Sequence, residues 1–106
     1  MANVFVPAAP VITSIEPFTF FGKPGAHISG TEDLSGLPSG YSIQISIVDV
    51  TLDDNMIGSP APVNGDGTWK ATVPSNAGDT AFAMAMTLGP GNEPGATSSS
   101  APFTLP

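Results

Sequence analysis

The sequence predicts an all-β fold, an antiparallel Greek-key sandwich of about seven strands. Three observations predict it. The 106 residues include 12 glycines and 12 prolines, a share that disfavours long helices. Turn signals recur about every 8–12 residues, which is typical of sandwiches and barrels. Several segments between the turns alternate apolar and polar side chains with a period of two, the pattern of a strand with one face buried.

Seven segments carry strand patterns, and each ends at a turn signal. They cover, in chain order, 10–15, 25–30, 41–50, 56–63, 68–73, 80–88 and 98–105. Glu16 and Pro17 close the first strand, and a phenylalanine-rich run follows up to Gly22. The strand over 56–63 is confined to a sheet edge, because Pro60 and Pro62 cannot donate ladder hydrogen bonds.

Alternation also predicts which side chains form the core. The inward positions are Tyr41, Ile43, Ile45 and Ile47, then Trp69, Ala71 and Val73, then Phe82, Met84, Met86 and Leu88, and finally Ala101, Phe103 and Leu105. Trp69 is the natural centre, since a buried aromatic ring removes roughly 150–250 Å² from water.

The charge balance excludes several kinds of partner. Two Lys, no Arg and nine acidic residues give a net charge of −7. Binding to nucleic acid or to an anionic membrane needs many cationic contacts, so we expect neither. The chain has no Cys, which excludes disulfides and thiolate chemistry. The N-terminus lacks a basic region and its apolar run stops at Pro7, so we expect no secretory signal.

Four segments carry a resemblance to a known family. They are Pro-Val-Ile at 10–12, Ile-Ser-Gly-Thr at 28–31, Asn-Gly-Asp-Gly-Thr-Trp-Lys-Ala-Thr-Val-Pro at 64–74, and Ala-Pro-Phe-Thr-Leu at 101–105. The chain resembles the bacterial immunoglobulin-like domains of surface adhesins and of tailed-phage virion proteins. The resemblance covers residues 10–105 and implies an immunoglobulin-like sandwich that acts as a scaffold or linker, with no catalytic residues.

The residues themselves offer little chemistry. His27 is the single His, and alternation places it opposite the core-facing residues of its strand. No Gly-x-Ser-x-Gly nucleophile elbow is present, and we expect no enzymatic activity. Asp53, Asp54 and Asp66 are the metal candidates, but they lack the spacing of a calcium loop and sit where turns favour Asp. We therefore expect no metal and no cofactor.

The N-terminal segment is the most suggestive feature. We divide the chain into an arm at 1–9 and an immunoglobulin-like domain at 10–106. Val4, Phe5 and Val6 form an apolar run that needs a place to be buried, either on the domain's own sheet edge or on a partner. We take these three residues as the candidate partner-binding site.

These expectations converge on a non-enzymatic structural or binding module. A single Met-initiated domain without an export signal fits a tailed-phage capsid decoration or cementing protein on the virion surface. Its partner would be the major capsid protein or another virion protein, with self-association as a further option. The alternative is a repeat of a bacterial surface adhesin, located on the cell surface. A carbohydrate-binding module is poorly supported, because Trp69 and Tyr41 fall on core-facing positions.

Overall fold

The computed structural model describes residues 5–106, and these form eight β-strands and no helix. The strands are β1 (Val11–Phe20), β2 (Lys23–Thr31), β3 (Ser42–Asp49), β4 (Asn55–Pro62), β5 (Thr68–Pro74), β6 (Thr80–Leu88), β7 (Pro94–Ser99) and β8 (Phe103–Thr104). Within this described part of the chain, no helix is long and apolar enough to cross a membrane.

The strands form two antiparallel sheets. One sheet has the order β1-β2-β5, and the other has the order β4-β3-β6-β7, with β8 also paired to β6. Strands β7 and β8 are two halves of one strand position, interrupted at residues 100–102. The chain changes sheet after β2, β4 and β5, which is a Greek-key path. Strands β2 and β5 face β3, β6 and β7 as strands B and E face C, F and G in immunoglobulin domains. The predicted sandwich is confirmed.

Trp69 lies at the centre of the core, as the alternation predicts, and is only 2 % exposed. It packs among the inward side chains of both sheets, which include Ala26, Ile28, Ile43, Ile45, Ile47, Ala71, Val73 and Leu105. Burial of these apolar groups supplies the main driving force for folding. The indole Nε1 of Trp69 has no hydrogen-bond partner, so the ring contributes through its apolar area alone.

The predicted inward face of β6 is wrong. The buried side chains are Ala81, Ala83, Ala85 and Thr87, while Phe82, Met84, Met86 and Leu88 are half-buried on the outer face. Both faces of this strand are apolar, so periodicity could not choose between them. The inner side of β6 packs in the same core cluster as Trp69 and the isoleucines, whose large side chains leave room there for small ones only.

Other expectations also need correction. The predicted strand at 98–105 is interrupted, and Ala101, predicted to face inward, is exposed in the interruption. Tyr41 is 40 % exposed and precedes β3, so it is not a core residue. Strand β1 does not end at Glu16-Pro17 but continues to Phe20, with Pro17 opposite Ala26. Because β1 is an edge strand, the missing N–H of Pro17 can face away from the ladder. Strand β4 is the predicted edge strand of its sheet.

The hairpin turns explain the glycines and acids between the strands. Asp53 and Asp54 both have positive φ, 56° and 58°, and Asn55 N–H donates to Leu52 C=O at 3.2 Å. This is a type I′ turn, in which Asp is among the favoured residues. In the turn that follows β4, Gly67 has φ 86° and its N–H donates to Asn64 C=O at 2.9 Å.

Candidate partner-binding face

The β1–β2 hairpin projects beyond its sheet. Strand β5 ends at Pro74, opposite Gly25, so residues 19–23 have no neighbour from β5. We call residues 19–23 the hairpin tip. Phe20 is 62 % exposed and Phe21 is 90 % exposed, and their ring centroids lie 4.5 Å apart in an edge-to-face contact. Two adjacent phenylalanines therefore stand in water on a protruding ribbon.

The backbone conformation at the hairpin tip does not favour a phenylalanine at position 21. Its φ is 48°, and Gly22 follows with φ 76°, so the two residues occupy the centre of a tight turn with left-handed geometry. This region suits Gly, Asn or Asp, and a bulky residue there is strained. The domain gains almost no burial from a ring that is 90 % exposed. Neither the turn geometry nor packing within the domain therefore accounts for a phenylalanine at this position.

The outer side chains of the three-stranded sheet form a continuous surface next to the hairpin tip. We call this surface the β1–β2–β5 face; it comprises Ser14, Glu16, Phe18 and Phe20 from β1, Lys23, Gly25, His27 and Ser29 from β2, and Thr68, Lys70, Thr72 and Pro74 from β5. At the end of this face nearest the hairpin tip lies an open groove of about 470 Å³, bordered by Phe18, Phe20, Pro24 and Pro74. Grooves of this size commonly hold a ligand side chain or a small molecule.

His27 is fixed within this groove. Its ring stacks on Phe18 with centroids 4.1 Å apart and planes 10° apart. Its Nδ1 lies 2.9 Å from the hydroxyl oxygen of Thr72 on the neighbouring strand. The predicted placement of His27 away from the core is confirmed, although the ring is half-buried by these contacts rather than free. The two contacts fix the orientation of the imidazole.

The charges of the chain are divided between this face and the rest of the surface. Only three residues can carry a positive side-chain charge, and all of them lie on the β1–β2–β5 face. They are Lys23, His27 and Lys70. All nine acidic residues fall within 5–106, and Glu16 alone belongs to this face. A protein of net charge −7 thus presents one surface where cations predominate.

The predicted arm residues lie elsewhere. Val4 is outside the described residues. Phe5 is half-buried and packs against the domain's own core, Val6 is 60 % exposed, and Pro7 is buried. The partner-binding role of Val4, Phe5 and Val6 stays a prediction, and Val6 is the described member with a free side chain.

The three metal candidates are not brought together. Asp53 and Asp54 form the β3–β4 turn, whereas Asp66 lies in the β4–β5 turn. Asp66 accepts hydrogen bonds from the Thr68 hydroxyl at 2.6 Å and from the Thr68 N–H at 3.0 Å, and these bonds hold its pKa below the usual range. Among residues 5–106, no group of three or more Asp, Glu, His or Cys has the arrangement of a metal site.

Three other acids occupy unusual positions that the sequence did not reveal. Glu32 is only 4 % exposed, its carboxyl oxygens have no partner, and burial together with the charge of Asp33 raises its pKa to about 7. Asp49 is fully buried: its Oδ1 accepts the Leu52 N–H at 3.1 Å, and its Oδ2 is unpartnered. The neighbouring Asp49 side chain raises the pKa of Asp79.

Comparison with known proteins identifies no relative of this chain. No protein-family model, curated protein or solved structure matches the chain.

Proposed function

We propose that this chain is a non-enzymatic structural and binding module that attaches to a protein partner through the hairpin tip. The exposed Phe20–Phe21 pair carries the proposal. Two adjacent aromatic rings in water, one of them on a strained backbone, cost the isolated domain solubility and local stability. Aromatic anchors that insert into a partner's pocket commonly dominate binding energy.

The tailed-phage virion surface is the setting we propose for this module, with the major capsid protein or another virion protein as its partner. The resemblance of the 64–74 block to bacterial immunoglobulin-like domains supports this setting. A repetitive capsid lattice also suits a small domain with a single protruding anchor, because many weak contacts near one another gain from multivalency.

Co-sedimentation of the full chain with purified capsids of the encoding phage tests the proposal. We expect Phe20→Ser with Phe21→Asn to abolish attachment while the thermal melt stays at or above that of the wild type. The matched control is Met56→Ser, which removes another exposed apolar side chain, 64 % exposed, from the β4 edge. Attachment that survives loss of both rings would refute the hairpin tip as the anchor.

A second candidate is a repeat of a bacterial surface adhesin, and one observation favours it. The described chain starts and finishes at opposite ends of the sandwich. Phe5 lies beside Gly36 in the β2–β3 loop, whereas the Ser75 hydroxyl, in the β5–β6 loop, donates to Pro106 C=O at 2.7 Å. This arrangement suits domains joined in series. Antibody labelling of intact source bacteria separates the two settings, because only an adhesin repeat would be labelled on the cell surface.

A further inference from the structure

We infer that the β1–β2–β5 face binds an extended acidic segment of a partner protein, with one apolar side chain of that segment seated in the groove beside Phe18. This inference rests on the proposed attachment through the hairpin tip and names the chemistry of the partner surface that lies next to it.

The charges on the face select an acidic occupant. Lys23 and Lys70 are exposed, and His27 lies between them along the sheet. Eight of the chain's nine acids lie elsewhere, on the turns or inside the sandwich, so an acidic partner is repelled from most of the surface and attracted to this face. Complementary charges of this kind guide association and fix orientation.

The spacing of the two lysines indicates an extended segment. Lys70 is opposite Ser29, six residues along β2 from Lys23, which corresponds to roughly 20 Å of strand. His27 lies within that span. A compact anion would meet one lysine only, whereas about six residues of extended chain can reach both.

The lining of the groove indicates that the bound segment carries an apolar side chain. This lining consists largely of aromatic and proline rings, those of Phe18, Phe20, Pro24 and Pro74. The Phe18 ring is held in place by its stack on His27, and a stacked ring offers a rigid surface at little entropic cost. The occupant we propose therefore combines carboxylates with one aromatic or aliphatic residue.

An NMR titration of the full ¹⁵N-labelled chain tests the inference. The probe is a synthetic hexapeptide of Asp and Glu with one Phe near its centre. Two matched peptides replace either the acids by Lys or the Phe by Ala. We expect the acidic Phe peptide to shift the amide signals of Lys23, His27 and Thr72, and each matched peptide to bind at least about fivefold more weakly.

Charge variants of the chain complete the test. Lys23→Gln with Lys70→Gln should weaken peptide binding about fivefold or more, and raising the salt concentration to about 0.5 M should act in the same direction. Glu93→Gln is the control, because it removes a charge outside the β1–β2–β5 face, in the β6–β7 turn. We expect it to leave the Kd unchanged.

Specific outcomes would overturn the inference. These are equal binding of the lysine peptide, signal changes confined to other surfaces, or indifference to both lysine substitutions. Concentration-dependent dimerisation abolished by Lys23→Gln, without peptide binding, would make a second copy the occupant and would also overturn it. If capsid attachment still requires Phe20 and Phe21 while the peptide fails to bind, the proposed function stands and this inference alone fails.

Discussion

The Phe18 ring stacks on the His27 imidazole across the β1–β2 pair, with centroids 4.1 Å apart, and Gly25 is what allows it to lie there. A Cβ added to Gly25 would come within 2.6 Å of the Phe18 ring and 3.1 Å of Val73 C=O. Gly25 is thus required by a close approach and not by a positive φ. The position of the Phe18 ring in the proposed groove therefore depends on the absence of a side chain at residue 25.

Gly25→Ala should therefore displace the Phe18 ring and leave the fold intact. We expect a stability loss of about 1 kcal/mol, because one aromatic contact is lost and the backbone conformation remains accessible to Ala. The readout is the ring-current shift of the His27 side-chain protons, which should move towards its random-coil value. A variant that keeps the wild-type shift would mean that the stack does not depend on Gly25.

Trp69→Ala should cost roughly 3–5 kcal/mol in the free energy of unfolding, as large-to-small core substitutions do. Trp69→Phe is the informative partner. It removes an Nε1–H that has no acceptor while keeping a large ring, so it should cost clearly less than the alanine variant. Urea denaturation measures both. A loss below 1 kcal/mol for Trp69→Ala would contradict the position of the ring in the core.

The two faces of β6 can be told apart by overpacking. Ala83 is fully buried, so Ala83→Leu should destabilise the domain by about 1–3 kcal/mol. Met84 is half-buried on the outer face, and Met84→Leu should change stability by less than about 0.5 kcal/mol. If the larger side chains were inward instead, as the sequence pattern predicted, Ala83→Leu would be the tolerated change.

Physical reasons separate what the sequence could predict here from what it could not. Period-two alternation identifies β3 and β5 because one face of each strand is polar. It fails on β6 because Phe82 and Ala83 are both apolar, and only the volume already filled by Trp69 decides between them. The candidate site was missed for a related reason: the Phe20–Phe21 run looks like core sequence until the pairing of β1 with β2 places it beyond the end of β5.

The sequence also predicts the positive charge of the β1–β2–β5 face only in part. Composition shows that Lys23, His27 and Lys70 are the few residues able to be positive. It cannot show that all three face outward on one sheet, because that depends on the register between β2 and β5. In the same way, Glu32 looks like an ordinary loop acid, and its burial becomes evident only when β2 and the β4–β5 turn are seen side by side, with Glu32 N–H donating to Gly67 C=O at 2.7 Å.

Glu32 should make the domain less stable as pH rises from about 4.5 to about 7. Its pKa in the folded state is raised to about 7 from an ordinary 4.5, so the unfolded chain ionises first and the folded state loses relative stability in that window. The full effect is up to about 3 kcal/mol. Glu32→Gln should abolish this slope and be the more stable protein at pH 7.5, as thermal melts between pH 4 and 8 would measure.

The matched control for Glu32 is Glu16→Gln, an exposed acid on β1 that should leave the slope between pH 4.5 and 7 in place. Asp33 and Asp66 have lowered pKa values because they accept hydrogen bonds from Ser35 and Thr68, so their contribution is lost as the pH falls towards 4 and below. A wild-type melting temperature that stays level from pH 4.5 to 7 would contradict the burial of the Glu32 carboxyl group.

Phe5 decides how far the N-terminal segment belongs to the domain. Its half-buried ring packs against the core and lies near Gly36, so Phe5→Ala should lower the free energy of unfolding by about 1–2 kcal/mol. Val6→Ser is the matched control, because the Val6 side chain is 60 % exposed and should be nearly neutral for stability. Denaturation curves and capsid attachment, measured on both variants, separate the two roles. If Val6→Ser weakens attachment without changing stability, the segment contacts the partner. If Phe5→Ala changes neither quantity, Phe5 does not contribute to the core, and its ring is free for another use.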